Sequence, residues 1–265
     1  MTLAVRFDKY EGLGNDFIVV ETSGPPALSD AVGWCDRHFG IGADGVLFVA
    51  PAEADARARM IVVNADGSRP EMCGNGLRCV ALHLARADRV DRAEYVVQTD
   101  AGPRRCRVDR SGDSASVRID MGRAEPLGEH RIEVDGRVFS FQRVSVGNPH
   151  AICFEPAPDL GTVDRVSVEV SRSVPGGTNV EFVAERAARA FDLVVWERGV
   201  GRTLACGTGA VATAAALALA GRAPFDAALD IRLPGGALSV TVDRSLDVRL
   251  TGPARRIFGG EILRP

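Results

Sequence analysis

Lysine is almost absent from this 265-residue chain. Of its 32 basic residues only Lys9 is a lysine, so pyridoxal chemistry, which needs a Schiff-base lysine, could run only through that residue. The sequence also lacks a basic patch: 32 basic and 35 acidic residues are interleaved, with a formal charge of −3. This balance gives no electrostatic footprint for nucleic acid or for an anionic membrane, and we expect neither as a partner.

The N-terminal segment, MTLAVRFDKYEGLGNDF, has no apolar stretch of signal-peptide length. The longest uncharged run, residues 203–221, is rich in alanine and weakly hydrophobic, so we interpret it as a buried helix rather than a membrane span. The six cysteines contain no C-x-x-C pair and the four histidines are scattered, so the sequence predicts no zinc site. Without an export signal we expect reduced thiols and a cytoplasmic location.

The chain repeats itself once. Gly14-Asn15 recurs as Gly147-Asn148, and the Cys73-Gly-Asn-Gly motif recurs as Cys206-Gly-Thr-Gly, each 133 residues later. Three further matches keep the same order: 45–49 with 179–183, 62–67 with 195–199, and 117–124 with 248–254. Five ordered matches indicate two homologous halves. We expect one domain at 1–118, to which 252–265 returns, and a second at 119–251.

Each half is typical of a strand-rich fold. Short β-branched runs bounded by Gly, Pro, Asp and Asn predict strands at 17–20, 46–49, 60–63, 95–99 and 116–121, and at 143–146, 151–154, 179–184, 193–196, 237–242 and 246–250. Helices are predicted after each Cys-Gly motif, at 76–87 and 209–220, with a lesser one at 30–38. Because both main helices are apolar around most of their circumference, we expect strands to wrap each one.

Two glycine-rich patterns compete for a functional interpretation. Gly40-Ile-Gly42-Ala-Asp-Gly45 matches G-x-G-x-x-G, but it follows a helical segment and opens a strand, the reverse of a dinucleotide site, so we interpret it as a turn. The two Cys-Gly motifs instead stand before helices, where unpaired N–H groups and the helix dipole favour a carboxylate and lower the pKa of a cysteine.

Two thiols at matching helix ends suggest racemisation or epimerisation. If the halves face each other, Cys73 and Cys206 flank a shared cleft. One thiolate then takes a proton from a stereocentre and the other thiol returns one to the opposite face. Helix N-termini that hold the substrate carboxylate would stabilise the charge that develops in the carbanion.

These residues resemble the diaminopimelate epimerase family. The resemblance rests on motifs that span 9–262: KYEGLGNDFIVV, FGIGADGVLF, NADGSRPEMCGNGLRC, VGNPHA, GGTNVEFV, WERGVGRTLACGTGA and TGPARRIFGGEI. It implies an α/β (α+β) fold of two pseudo-symmetric domains, each a strand-rich barrel around a central helix, with the active site in the cleft between them. It also implies a homodimer that needs no cofactor or metal and interconverts LL- and meso-diaminopimelate in lysine and peptidoglycan-precursor synthesis.

The resemblance assigns a role to each motif residue. Cys73 and Cys206 would be the acid–base pair, and Glu197 would bind the reacting ammonium group. Arg198 would bind the distal carboxylate, and His150 and Glu197 would adjust the thiol pKa values. The remaining substrate ligands would be backbone N–H groups at Gly74, Asn75, Gly207 and Thr208 and the side chains of Asn15, Asn64, Asn148 and Asn179.

The chain departs from some family members at three positions, and other functions stay open. Gly45 stands where some members have Gln, Arg202 where some have an acidic residue, and Phe258 where some have a Tyr at the dimer interface. The alternatives are a racemase for another amino acid, a thiol–disulfide redox protein and a non-catalytic anion-binding module. Glu197, Arg198 and the four Asn residues favour a substrate with two ammonium and two carboxylate groups.

Overall fold

The computed structural model describes residues 4–24, 28–53 and 55–263. The chain forms two compact units: one runs to Ile119 and includes the segment from Gly252, and the other is Asp120–Thr251. In the part of the chain that the structure describes, no helix has the length and apolar character needed to cross a membrane.

The first unit is a strand-rich ring. Its described elements are β1 (Ala4–Gly12), β2 (Asn15–Glu21), α1 (Leu28–Cys35), β3 (Gly45–Ala50), β4 (Ala58–Asn64), α2 (Gly74–Ala87), β5 (Arg92–Thr99), β6 (Gly102–Ser111), β7 (Ser114–Arg123) and the later part of β16 (Asp247–Leu263). Strands pair in the order β1-β2-β3-β4-β5-β6-β7-β16, and β16 pairs back onto β1, which closes an eight-stranded barrel.

Helix α2 is the core of the first unit. It contacts β1 to β6, and its apolar side chains are buried as far as Ala85, as expected for a helix that strands wrap. Side chains alternate along β3: Val46 and Phe48 pack with Trp34 of α1, whereas Leu47 points to Gly76 of α2. The barrel therefore has α2 on one face of its strands and α1 on the other.

The second unit repeats this plan. Its described elements are β8 (Glu125–Val134), β9 (Arg137–Ser145), β10 (Pro149–Cys153), α3 (Leu160–Ser173), β11 (Asn179–Ala187), β12 (Ala190–Glu197), β13 (Gly201–Arg202), α4 (Gly207–Leu219), β14 (Ala228–Leu233), β15 (Gly236–Val242) and the first part of β16. Strands pair in the order β8-β9-β10-β11-β12-β14-β15-β16, with the short β13 on β12.

Helices α4 and α3 take the places of α2 and α1. Helix α4 contacts β9, β10, β11, β14 and β15 and is buried almost throughout. Helix α3 packs Val163, Val166 and Val170 against a cluster that includes Phe182 of β11. The neighbouring Glu181 points the other way, to Gly209 of α4. The predicted fold class and both central helices are confirmed.

One helix was missed and two helix boundaries were predicted wrongly. No element was predicted at α3, whose valines have β-branched side chains typical of strands. Its signal was the Asp159 cap, which accepts a hydrogen bond from the Thr162 N–H at 3.0 Å, followed by apolar positions at helical spacing. Helix α1 ends at Cys35, before the predicted 38, because the Asp36 carboxylate accepts the next N–H groups and turns the chain. The central helices begin two residues earlier than predicted.

Candidate active site

Cys73 and Cys206 occupy matching positions as the N-caps of the central helices. Cys73 precedes α2 with φ −137° and ψ 111°, and Cys206 precedes α4 with φ −128° and ψ 107°. Each sulfur accepts a hydrogen bond from the N–H three residues on, Gly76 or Gly209, at 3.4 Å in both units. The two Cys-Gly motifs therefore form the same cysteine-capped helix N-terminus in each unit, where N–H groups of the first turn are suited to bind an anion.

Close neighbours leave no room for a side chain at Gly76 or at Gly209. A Cβ on Gly76 would lie 2.8 Å from a methyl carbon of Leu47, and a Cβ on Gly209 would lie 2.8 Å from Oε1 of Glu181. Leu47 and Glu181 are counterparts in the repeat. The backbone geometry is thus conserved between the units, but an aliphatic group beside one cysteine is replaced by a carboxylate beside the other.

A polar pair flanks each cysteine. In the first unit the Asn75 amide donates to Oδ1 of Asn15 at 3.2 Å, and in the second the Asn148 amide donates to the Thr208 hydroxyl at 3.5 Å. Asn15 and Asn148 are counterparts, as are Asn75 and Thr208. The structure therefore brings these four predicted residues to the helix starts, two in each unit.

Other predicted residues line the turns that precede the cysteines. Asn64, at the end of β4, donates to the Ser68 hydroxyl at 2.9 Å. Its counterpart Glu197, at the end of β12, accepts a hydrogen bond from the Thr203 hydroxyl at 2.5 Å. Thr203 was not predicted as a site residue, although it stands three residues before Cys206.

Asn179 and Arg198 form a second contact in the same unit. Oδ1 of Asn179 accepts the Arg198 N–H at 2.9 Å, and the guanidinium of Arg198 donates to the carbonyl of Gly176. The Arg198 side chain is otherwise exposed. Its backbone is therefore fixed by Asn179, while its charged end can still meet a carboxylate.

A buried acid–imidazole pair stands beside Cys206. Nδ1 of His150 and Oε1 of Glu181 are 2.7 Å apart, and both side chains are fully buried. Nε2 of His150 lies 3.2 Å from Oδ1 of Asn148, and the Thr208 hydroxyl lies 3.5 Å from the Cys206 sulfur. These contacts connect the carboxylate to the thiol through His150, Asn148 and Thr208. Glu181 was not predicted, although a carboxylate inside the apolar run NVEFV was a visible signal.

The expected depression of the cysteine pKa is wrong for Cys206. Burial raises the pKa of this thiol well above its usual value, and the negative charges of Glu197 and Glu181 raise it further. Hydrogen bonds from Thr208 and the Gly209 N–H oppose the shift without reversing it. The helix N-terminus alone does not decide the protonation of a thiol that is 4% exposed and faces carboxylates.

Three other cysteines are consistent with plain apolar packing. Burial raises the pKa of Cys35 and of Cys153 to about 11 and raises that of Cys79 as well. Among the described residues, no group of three or more His, Cys, Asp or Glu side chains has an arrangement that could hold a metal ion.

The three departures from the family pattern have local explanations. A Cβ on Gly45 would lie 2.8 Å from the Val63 carbonyl, so this backbone excludes a larger side chain. Arg202 is paired with Asp164 at 2.9 Å. Phe258 packs edge-on against Phe7, with ring centroids 5.9 Å apart, and remains 45% exposed.

Comparison with known proteins identifies the family. The family model described as diaminopimelate epimerase matches residues 7–127 and 143–257. The chain belongs to the diaminopimelate epimerase family. Among curated relatives, the diaminopimelate epimerase of Desulforudis audaxviator is 40% identical over 282 residues, with 98% of this chain and 100% of the relative covered. That of Synechococcus elongatus is 39% identical over 283 residues, with 98% and 99% covered.

Solved structures share the fold at much lower identity. A protein from Pseudomonas aeruginosa described as a predicted epimerase superposes with a TM-score of 0.78 at 17% identity, covering 98% of this chain and all of that one. A hydroxyproline epimerase from Agrobacterium vitis gives the same TM-score and identity, covering 99% and 94%. At this identity the likeness is one of fold, which the diaminopimelate epimerase family shares with enzymes of other names.

Proposed function

We propose that this chain interconverts LL-2,6-diaminopimelate and meso-diaminopimelate without a cofactor, in lysine and peptidoglycan-precursor biosynthesis. The observation that carries the proposal is the duplicated helix start, in which a cysteine caps the helix and a polar pair stands beside it. A redox couple or an anion-binding module would not need this arrangement twice, whereas proton transfer on two faces of one carbon does.

The first step is binding of the reacting carboxylate. Backbone N–H groups at Gly74 and Asn75, and at Gly207 and Thr208, belong to first turns that lack helical acceptors. As the α-proton leaves, negative charge spreads from the α-carbon into this carboxylate. Donors already aimed at that charge stabilise the carbanion more than the ground state, and this difference lowers the barrier.

The second step is proton exchange between the two thiols. One cysteine, as the thiolate, takes the α-proton and becomes a thiol. The other, as a thiol, gives its proton to the opposite face of the same carbon and becomes a thiolate. The net charge of the pair is unchanged, and the configuration at one carbon is inverted. In the reverse direction Cys73 and Cys206 exchange roles.

The remaining polar groups select the substrate. Glu197 is a ligand for the reacting ammonium group, and Asn15, Asn64, Asn148 and Asn179 bind the rest of the zwitterion. The exposed guanidinium of Arg198 takes the distal carboxylate, for which its planar fork is suited. His150, joined to Glu181, adjusts the protonation of Cys206 together with Glu197.

We also propose that the enzyme acts in the cytoplasm as a homodimer. The closing strand β16 exposes two consecutive large apolar side chains, Ile257 and Phe258, each 45% accessible, where its pairing with β1 is irregular. Adjacent exposed apolar side chains on a strand are suited to burial against a second copy. Sedimentation of the purified protein would test this state directly.

The decisive experiment follows the α-proton. Reduced enzyme is incubated with LL-diaminopimelate in D₂O, and we expect meso product with deuterium at one α-carbon. Cys73→Ala and Cys206→Ala should each abolish turnover while the circular dichroism spectrum is unchanged. Cys35→Ala, a buried cysteine of the first unit, is the matched control and should remain active. Near-normal turnover in either of the first two variants would reject the two-thiol mechanism.

A substrate panel separates the closest alternative. L-proline, L-histidine and L-lysine are tested under the same conditions as diaminopimelate. Each lacks a second carboxylate, the group assigned to Arg198, so we expect little racemisation. If one of them exchanged its α-proton faster than diaminopimelate, the chain would be a racemase for that amino acid.

A further inference from the structure

Arg78 is a buried cation with unused hydrogen-bond donors. It lies on α2, five residues after Cys73, and its side chain is fully buried. Its Nε donates to the Pro253 carbonyl at 2.9 Å, but within the described residues Nη1 and Nη2 have no hydrogen-bond partner. Burying an arginine with its terminal donors unpaired is costly. Such a group is expected where an anion forms.

The guanidinium is directed to the start of α2. Helical side chains lean toward the N-terminus and cover the preceding turn, and Arg78 stands four residues after Gly74. A Cβ on Gly12 would lie 3.0 Å from Nη2 of Arg78 and 3.6 Å from the Asn75 carbonyl, so the guanidinium and the first turn border the same small space. Arg78 therefore adds a full positive charge to the partial charge of the helix end.

The ionisable groups near Arg78 make no hydrogen bond to its Nη1 or Nη2 among the described residues. The groups that act electrostatically on Arg78 are Cys79 and Cys73 on α2 and Glu11 on β1. Burial raises the pKa of Cys79, which keeps it a thiol. Glu11 accepts hydrogen bonds from Arg255 and from the Gly14 N–H, each at 3.1 Å. Of the three groups, Cys73 is the one whose negative charge Arg78 would neutralise.

The second unit has no cation at the position of Arg78, and it has an anion where the first unit has an aliphatic side chain. Val211, fully buried, takes the place of Arg78, and Glu181 takes the place of Leu47. The groups that face Cys206 are the carboxylates of Glu181 on β11 and Glu197 on β12, together with Thr208 and the Gly209 N–H of α4. His150 on β10 is connected to it through Glu181 and through Asn148 and Thr208. Negative charge therefore surrounds one thiol and a buried positive charge accompanies the other.

We propose that Arg78 holds Cys73 as the thiolate of the resting enzyme, while the buried Glu181 beside Cys206 holds that residue as the thiol. Arg78 is thus a positioning residue that acts through Cys73. The inference rests on the proposed function in assigning both cysteines to the reaction, and it adds which of them carries the proton before substrate binds.

The test measures thiolate directly and needs no substrate. Reduced enzyme is treated with limiting iodoacetamide across a pH series, and the alkylation rates at Cys73 and Cys206 are read by peptide mass mapping. Because only the thiolate reacts, the midpoint of each profile reports its protonation, and the plateau at high pH reports its accessibility. In the wild type we expect Cys73 to reach half of its plateau rate at a pH at least one unit below that of Cys206. Equal midpoints, or the reverse order, would overturn the proposal.

Variants identify the cause. Arg78→Met removes the charge at similar length. The ratio of the Cys73 alkylation rate at pH 7 to its plateau rate at high pH should fall at least tenfold, and the Cys206 profile should be unchanged. Arg78→Lys should restore part of the difference, because a positive charge remains. Val211→Met, at the counterpart position, is the control. A lower resistance to urea in Arg78→Met with an unchanged Cys73 midpoint would mean that Arg78 only supports the Pro253 segment.

The outcomes separate this inference from the proposed function. If Arg78→Met does not fold, Glu181→Gln tests the part of the proposal that concerns Cys206. This substitution should move the midpoint of the Cys206 alkylation profile to lower pH. An enzyme that exchanges deuterium into diaminopimelate but has equal cysteine midpoints would keep its function and refute the asymmetry. An enzyme that is inactive on diaminopimelate but has the two midpoints in the expected order would refute the function alone.

Discussion

Replacing Gly209 by alanine tests the contact between α4 and the buried carboxylate. The new methyl group would lie 2.8 Å from Oε1 of Glu181 and 3.3 Å from the Cys206 sulfur. Glu181 has no room to withdraw, because it is fully buried and its Oε1 is joined to His150 at 2.7 Å. Overpacking of this kind costs ~1–3 kcal/mol, and we take the upper value because the displaced atom is polar and fixed. The helix gains ~1 kcal/mol from alanine, so the expected net loss is about 2 kcal/mol.

Two further substitutions calibrate that value. Gly33→Ala, on the exposed face of α1, meets no atom within 4 Å and should raise the free energy of unfolding by ~0.5–1 kcal/mol. Gly76→Ala meets a methyl group of Leu47, which is apolar and makes no hydrogen bond that the new methyl would displace, so its cost should lie between those of the other two. Urea unfolding gives the three free energies. For a chain of this size a loss of about 2 kcal/mol corresponds to a fall in Tm of roughly 4–8 °C.

Activity provides the second readout for Gly209→Ala. A displacement of the Cys206 sulfur by a fraction of an ångström should reduce kcat for diaminopimelate by about tenfold or more, since misplacement of a reacting group by ~1 Å can cost about 10²-fold. Gly33→Ala should retain full activity. If Gly209→Ala were stabilised as much as Gly33→Ala and kept its kcat, Glu181 could not stand against the start of α4.

Three other predictions concern the two thiols, the arginine assigned to the distal carboxylate of the substrate, and the stability of the protein in acid. Mild oxidation should join Cys73 and Cys206 and abolish activity until reductant is added, with diaminopimelate protecting both; inactivation with both thiols still recoverable would contradict this. Arg198→Lys keeps the charge but loses the planar fork, so kcat/KM should fall by about tenfold, and unchanged kcat/KM would remove it from the site. Burial raises the pKa of Asp16, but hydrogen bonds from Arg37 and the single lysine outweigh this and hold it at about 2. The stability that Asp16 provides is present above its unfolded pKa of about 4 and disappears as the pH falls toward 2. Urea curves of wild type and Asp16→Asn should therefore differ at pH 7 and converge near pH 2.

The internal repeat made much of the candidate site predictable. A constant offset of 133 residues assigned Asn148 to Asn15 and Cys206 to Cys73 before any geometry was known. The structure places each Asn beside the helix start of its own unit. Short motifs at helix starts can be located from sequence because capping depends on residues a few positions apart.

Residues that break the repeat were missed. Glu181 and Arg78 each sit in an otherwise apolar segment, where a pattern of buried side chains conceals one charged member. Their roles depend on partners that are distant in sequence: His150 for Glu181 and the Pro253 carbonyl for Arg78. A comparison of the two halves at the same position, with Leu47 against Glu181 and Val211 against Arg78, was the available signal.

Several strands could not be predicted from local pattern. Strand β6 alternates buried and exposed positions, but its exposed side chains are mostly arginine and aspartate, and it contains few β-branched residues. The length of β16 was also not visible, because a 17-residue strand contains Gly252, Gly259 and Gly260 and continues through them only where neighbouring strands supply hydrogen bonds.

The position of β16 has a consequence for how this protein is made. The first unit closes its barrel with residues after Gly252, although its other strands have all been synthesised by Arg123. At elongation rates of ~5–20 residues per second, the N-terminal half waits on the order of 10 s for the strand that completes it. During that interval the edge of β1 has no partner, and unpaired edges promote aggregation. Deleting or tagging the last dozen residues should therefore damage the half of the protein that was translated first.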